Sequence, residues 1–131
     1  MTDPIFTLRL ADAIHALADE CERAQEGILE LGSRIAAALG RPAYCRIVAD
    51  TSVAVGYLHD YQWWEITYSA RIKSAKPYYV SLNALEDRVV SNAATLPLAI
   101  CAAMLLLEER RLRREAARLP WNEPGEGEPD V

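Results

Sequence analysis

The sequence predicts an α+β fold: a long N-terminal helix, an antiparallel meander of three or four strands, and a C-terminal helix packed on one sheet face. Three observations carry this expectation. Apolar or small residues recur at alternating steps of four and three from Leu10 to Ala38. The chain between Ala43 and Leu82 is rich in Tyr, Trp, Val and Ile, with turn residues at short intervals. An uncharged run from Leu96 to Leu107 then gives way abruptly to charge at Glu108.

The first helix starts at Thr2-Asp3-Pro4, where Asp3 can accept from free amides and Pro4 sits where no hydrogen bond is lost. Its seam runs Leu10, Ile14, Leu17, Cys21, Ala24, Ile28, Leu31, Ile35 and Ala38, and Gly40 with Pro42 stops it. Unbroken, it is ~36 residues and ~54 Å long. Gly27 and Gly32 are the places where it can bend.

Strands are expected at Tyr44–Val48, Val53–Leu58, Gln62–Ile72 and Tyr78–Leu82, with turns at Asp50-Thr51, His59-Asp60-Tyr61 and Lys73–Lys76. The third alternates most clearly. Trp64, Ile66, Tyr68, Ala70 and Ile72 share the core face, while Trp63, Glu65, Thr67, Ser69 and Arg71 share a partly wet one. Residues 83–95 read as a short helix, capped by Asn83 with Glu86; a fifth strand over Arg88–Ser91 is the alternative.

The last helix, about Leu96 to Arg118, is apolar all round in its first half and should be buried on more than one side. Ala99, Ala102 and Ala103 permit close approach of another backbone. Residues 1–118 form one domain in this reading, and 119–131, with three prolines and four acidic residues, form a disordered acidic tail.

Composition narrows the function classes. A net charge of −5 argues against a surface devoted to phosphate binding. Cys21, Cys45 and Cys101 are an odd number without CxxC spacing, which suits a reducing compartment and a cytoplasmic protein. Asp3, Arg9 and Asp12 interrupt any signal-peptide pattern, and the longest apolar run falls short of the ~20 residues of a membrane span. P-loop, dinucleotide, GxSxG and paired-zinc motifs are missing, so neither cofactor nor metal is expected.

Several residue groups invite a chemical role. His59 beside Asp60, with Glu65 and Tyr68 nearby, has the composition of a general base and its orienting carboxylate, but also that of an ordinary turn. His15 with Asp12 and Asp19 presents imidazole and carboxylates on one helix face, a pattern far commoner in ion pairing than in metal ligation. Cys21 and Cys101 read as core residues; Cys45 beside Arg46 has no visible partner histidine. Arg110, Arg111, Arg113, Arg114 and Arg118 form the one basic cluster, interleaved with Glu108, Glu109 and Glu115. Tyr57, Tyr61, Trp63, Trp64, Tyr68, Tyr78 and Tyr79 crowd residues 57–79, more than one sheet face uses as core, and Trp121 lies in the tail.

The sequence therefore favours a non-enzymatic interaction module, an accessory, adaptor or inhibitor protein that meets protein partners through helical and aromatic surfaces. Tyr57, His59, Tyr61, Trp63, Glu65, Tyr68 and Trp121 are its expected contact residues. A homodimer is expected through the part of the long seam that a small sheet cannot cover. One alternative is a small-molecule pocket, enzymatic or not, around Tyr57–Tyr68. The other is nucleic-acid binding through the Arg110–Arg118 helix face.

Overall fold

The computed structural model describes residues 3–40, 45–69, 75–84 and 87–119, with the Cys45 side chain excepted. Four α-helices and one three-stranded antiparallel sheet are arranged as α1 (Pro4–Arg23), α2 (Leu29–Leu39), a 3-10 helix (Cys45–Val48), α3 (Thr51–Leu58), β1 (Trp63–Tyr68), β2 (Tyr78–Ala84), β3 (Asp87–Ala93) and α4 (Leu96–Arg118). The fold is α+β, with the N-terminal and C-terminal helices packed on the sheet. No helix among the described residues is long and apolar enough to cross a membrane.

Helix α1 begins as its sequence dictates: Asp3 Oδ1 accepts from the Ile5 N–H at 3.0 Å, and Pro4 occupies the first turn. It buries Ala11, Ile14, Leu17, Ala18 and Cys21. The single long helix is not formed. The chain leaves helical geometry at Ala24, whose ψ is 143°, and re-enters at Leu29. Within this break, a β-carbon at Gly27 would overlap the carbonyl group of Val48. The linker thus runs flush against the end of the 3-10 helix, and only glycine fits there. Helix α2 packs back on that 3-10 helix, burying Leu31, Ile35 and Ala36, and ends at Gly40 with φ +68°. Of the expected seam, Ile14, Leu17, Cys21, Leu31 and Ile35 are buried within the chain, while Leu10 and Ile28 remain exposed.

The first two expected strands are also replaced. Residues 45–48 form the 3-10 helix, Tyr44 lies outside the described residues, and Thr51–Leu58 is α-helical. Asp50 decides the second case: its Oδ1 accepts from Ser52 N–H at 3.0 Å and Val53 N–H at 3.3 Å, capping α3 where a turn was expected. Ala54 and Leu58, four residues apart, then face the core together.

The sheet runs in the order β1-β2-β3. Residues 87–93 form β3, so the helix expected over 83–95 gives way to the alternative strand, lengthened at both ends; Glu86 lies outside the described residues. Register places Trp64, Leu82 and Val89 in one row and Ile66, Val80 and Ser91 in the next, all on the inner face. Val80, Leu82 and Ala93 are fully buried there beneath α4. Ser91 Oγ donates to the Ala99 carbonyl at 2.6 Å, fixing β3 to α4.

Helix α4 is the central element. Thr95 Oγ1 accepts from the Leu98 N–H at 3.3 Å at its start. Every residue from Leu98 to Leu105 is buried, because the sheet lies on one side, α1 along another, and α3 with the 3-10 helix on the rest. Its charged last turns are tied down by ion pairs, Arg113 to Asp12 of α1 at 2.9 Å and Arg114 to Asp87 of β3. The acidic segment from Pro120 onward lies outside the described residues.

Candidate functional site

The outer face of the sheet is left uncovered by α4, which lies on the opposite one. Strand alternation sends the odd-numbered residues of β1 and β2 and the even-numbered residues of β3 outward. Register then sets three rows: Trp63, Asn83 and Arg88; Glu65, Ser81 and Val90; Thr67, Tyr79 and Asn92. Trp63 is 45% exposed, Tyr79 39% and Val90 56%. Arg88 crosses this face, its guanidinium 5.9 Å from the Trp63 ring centroid and its Nε donating to Ser81 Oγ at 3.2 Å. Ser81, at the centre, is consequently only 7% exposed. Asn83 Oδ1 is buried without a hydrogen-bond partner among the described residues.

Of the residues expected to form a contact surface, Trp63 and Glu65 stand on this face. Tyr68 has inner-face parity but lies at the end of β1, 57% exposed, with its ring 4.9 Å from that of Tyr78. His59 caps the end of α3, exposed, and sets its ring edge-on to Trp64 at 6.2 Å. Tyr57 and Asp60 line an open groove of about 400 Å³ along α3, together with Ser52, Val53 and Gly56. Tyr61 lines a smaller recess of about 180 Å³ against Leu39, Met104 and Leu107. The expected contact residues therefore divide among several surfaces. His59 and Glu65 line neither cavity, so the general-base arrangement does not converge on an enclosed space. Trp121 lies outside the described residues.

The basic cluster is largely neutralised where it stands. Arg111 pairs with Glu108 at 2.6 Å and Glu115 at 3.5 Å, Arg113 pairs with Glu109 at 2.8 Å and with Asp12, and Arg114 pairs with Asp87. Hydrogen bonds to these carboxylates raise the pKa values of Arg111 and Arg113 still further above the arginine range. Arg110 and Arg118 are exposed and make no ion pair among the described residues, which leaves two cations on that face.

His15 belongs to the same ionic chain. Its Nδ1 lies 2.9 Å from Glu109 Oε1 and its Nε2 lies 3.5 Å from Asp19 Oδ2. Asp12 reaches Arg113 instead, so the three residues once grouped as possible ligands are held in ion pairing. No cluster of three or more His, Cys, Asp or Glu among the described residues is arranged to hold a metal ion. Burial pushes the Cys21 thiol up to about 12 and that of Cys101 well above its usual value, so neither supplies a thiolate near neutral pH. The Cys45 side chain lies outside the described residues.

Sequence reasoning missed Tyr79, Ser81, Arg88, Val90 and Asn92 as parts of one surface. A signal existed in the alternation of Val89, Ser91 and Ala93 with Arg88, Val90 and Asn92, but it becomes legible only once β3 is recognised as a strand. Comparison with protein families, with curated proteins and with solved structures finds no match to this chain.

Proposed function

We propose that this chain is a non-enzymatic protein-interaction module, an accessory, adaptor or inhibitor protein, whose contact surface is the outer face of its sheet. The observation that carries this reading is the uncovered group of Trp63, Tyr79 and Val90 around Ser81, with Arg88 laid against Trp63. Aromatic and arginine side chains are the types that dominate binding energy in protein interfaces, and Glu65, Thr67 and Asn92 supply a polar margin on the same face. A cytoplasmic setting accords with Cys21 and Cys101, both buried free thiols.

The two other readings find less support. The groove of about 400 Å³ along α3 has the volume of a small-molecule site but is open, and neither His59 nor Glu65 lines it. The recess beside Tyr61 holds about 180 Å³, below the roughly 300–1,000 Å³ such ligands ordinarily occupy. A phosphate backbone would have to displace the carboxylates already paired with Arg111, Arg113 and Arg114.

The test is affinity capture from host lysate using the full chain and a Trp63→Ser/Val90→Lys double variant. Expected is a protein held by the wild type and lost from the double variant, with the thermal unfolding of the two unchanged. Equal retention by both, or nothing retained by either, overturns the reading.

A further inference from the structure

The two edges of the sheet are treated differently. On β3, the Asn92 N–H points away from β2 and donates to Glu22 Oε2 of α1 at 3.1 Å, so that edge is closed at one of its outward groups by a charged side chain. On β1 the orientation follows from the Ser69 N–H, which donates to the Pro77 carbonyl of the β2 side at 2.9 Å. Antiparallel pairing alternates, so the odd-numbered residues of β1 bond to β2, while Trp64, Ile66 and Tyr68 turn their N–H and C=O groups to the open side. The same three residues carry apolar side chains on the inner face, where α4 covers β2 and β3. Val80 and Leu82 are 0% exposed on that face, but Trp64 and Ile66 are only half-buried and Tyr68 is exposed. Backbone donors and unfinished apolar cover thus coincide on one edge.

We infer that a second copy of this chain occupies that edge, pairing β1 with β1 antiparallel about a two-fold axis at Ile66. The result is a continuous six-stranded sheet. Parity and charge select the register. Outward groups must meet outward groups, so the axis passes through a residue and not between two. An axis at Glu65 sets two carboxylates directly opposite, which is repulsive. An axis at Thr67 leaves Trp63, Trp64 and Glu65 opposite residues beyond the end of the strand. At Ile66 every residue of the strand but Trp63 is paired: Trp64 faces Tyr68 of the partner subunit on the inner side, and Glu65 faces Thr67 of the partner subunit on the outer side. The inner row of each copy then continues into the other, and the two outer faces become one. This pairing goes beyond the interaction-module reading and does not need it.

Disulfide trapping tests the register directly. Glu65 and Thr67 of opposite copies would form a non-hydrogen-bonded pair with Cα atoms about 4.5 Å apart, within disulfide range. A Glu65→Cys/Thr67→Cys double variant, oxidised with diamide, is expected to run as a covalent dimer that dithiothreitol reverses. Neither single variant should do so. A cross-link in Glu65→Cys alone or in Thr67→Cys alone would assign a different register and overturn the proposal. So would the absence of any cross-link in the double variant. Independently, Ile66→Pro removes an outward N–H without touching the β1–β2 bonds. By light scattering after gel filtration, the mass of the wild type should be twice that of this variant. A wild type that is monomeric at every concentration reached overturns the inference even where Ile66→Pro fails to fold. Loss of a captured partner in the outer-face variants bears on the preceding reading alone.

Discussion

His15 of α1 and Glu109 of α4 meet at 2.9 Å and link two ion pairs, Asp19 with His15 and Glu109 with Arg113, into one chain across the helix interface. The hydrogen bond to Glu109, followed by its charge, raises the His15 pKa above 6.5. A histidine whose pKa is raised on folding stabilises the protein fully below its unfolded value, and that contribution disappears as pH rises through the folded value. Half of the imidazole is exposed, so solvent screening limits the contribution to about 0.5 kcal/mol. Urea unfolding of wild type and His15→Gln should therefore differ most below pH 6.5 and converge at higher pH. Curves that stay parallel across that window would remove His15 from the interface.

Gly27 and Gly56 should respond oppositely to alanine. At Gly27 the new methyl would overlap backbone atoms of Val48, which cannot rotate away, so strain of about 1–3 kcal/mol is expected. At Gly56, within α3, nothing lies within 4 Å of the same methyl. There the helix should gain about 0.5–1 kcal/mol. Chemical denaturation midpoints of Gly27→Ala and Gly56→Ala should bracket that of the wild type. Two shifts of the same sign would contradict the close approach at Gly27.

These contacts also mark where the sequence is legible and where it is not. Local signals sufficed for the start of α1, the stop at Gly40, the alternation in β1 and the buried first half of α4. The break between α1 and α2 was hidden because each helix buries one stripe and the spacing of Cys21, Ala24, Ile28 and Leu31 stays helical across the gap. The break accompanies the close approach of Gly27 to Val48, a contact between segments distant in sequence. In α3, Val53, Val55 and Tyr57 have strand propensity, and the Asp50 cap with Ala54 and Leu58 in the core outweighs it. In β3, Asp87, Arg88, Ser91 and Asn92 have little strand propensity, and the strand is held by pairing with β2 and by Ser91 on Ala99. The candidate surface inherits this limit, because Arg88 and Val90 reach Trp63 and Tyr79 only through that unrecognised strand.

The cap on α3 is open to a direct check. Asp50→Ala removes the acceptor for two amides at the start of an eight-residue helix, which should cost about 1 kcal/mol. Amide exchange of Ser52 and Val53 should accelerate more than that of Leu98, whose cap is Thr95. Equal acceleration throughout would mean that α3 opens only with the whole molecule.

The guard on β3 makes a sharper local claim. Glu22→Ala leaves the Asn92 N–H facing water at an open edge, so its exchange rate should rise while that of Ser91, which is paired into β2, stays near wild type. The variant should also be more prone to self-association at high concentration, because a second strand edge has been opened.

Core and outer face should separate under substitution. Met104 is 1% exposed and sits between the sheet and the helices, so Met104→Ala should cost about 2–5 kcal/mol through lost burial and the cavity left behind. Val90 is 56% exposed on the uncovered face, and Val90→Thr keeps its branched shape in the strand, so stability should change by no more than about 0.5 kcal/mol. Thermal unfolding of the two variants beside the wild type checks this contrast. A large loss in Val90→Thr would mean that the outer face is already covered in the isolated protein, and binding at that face would then have to begin by uncovering it.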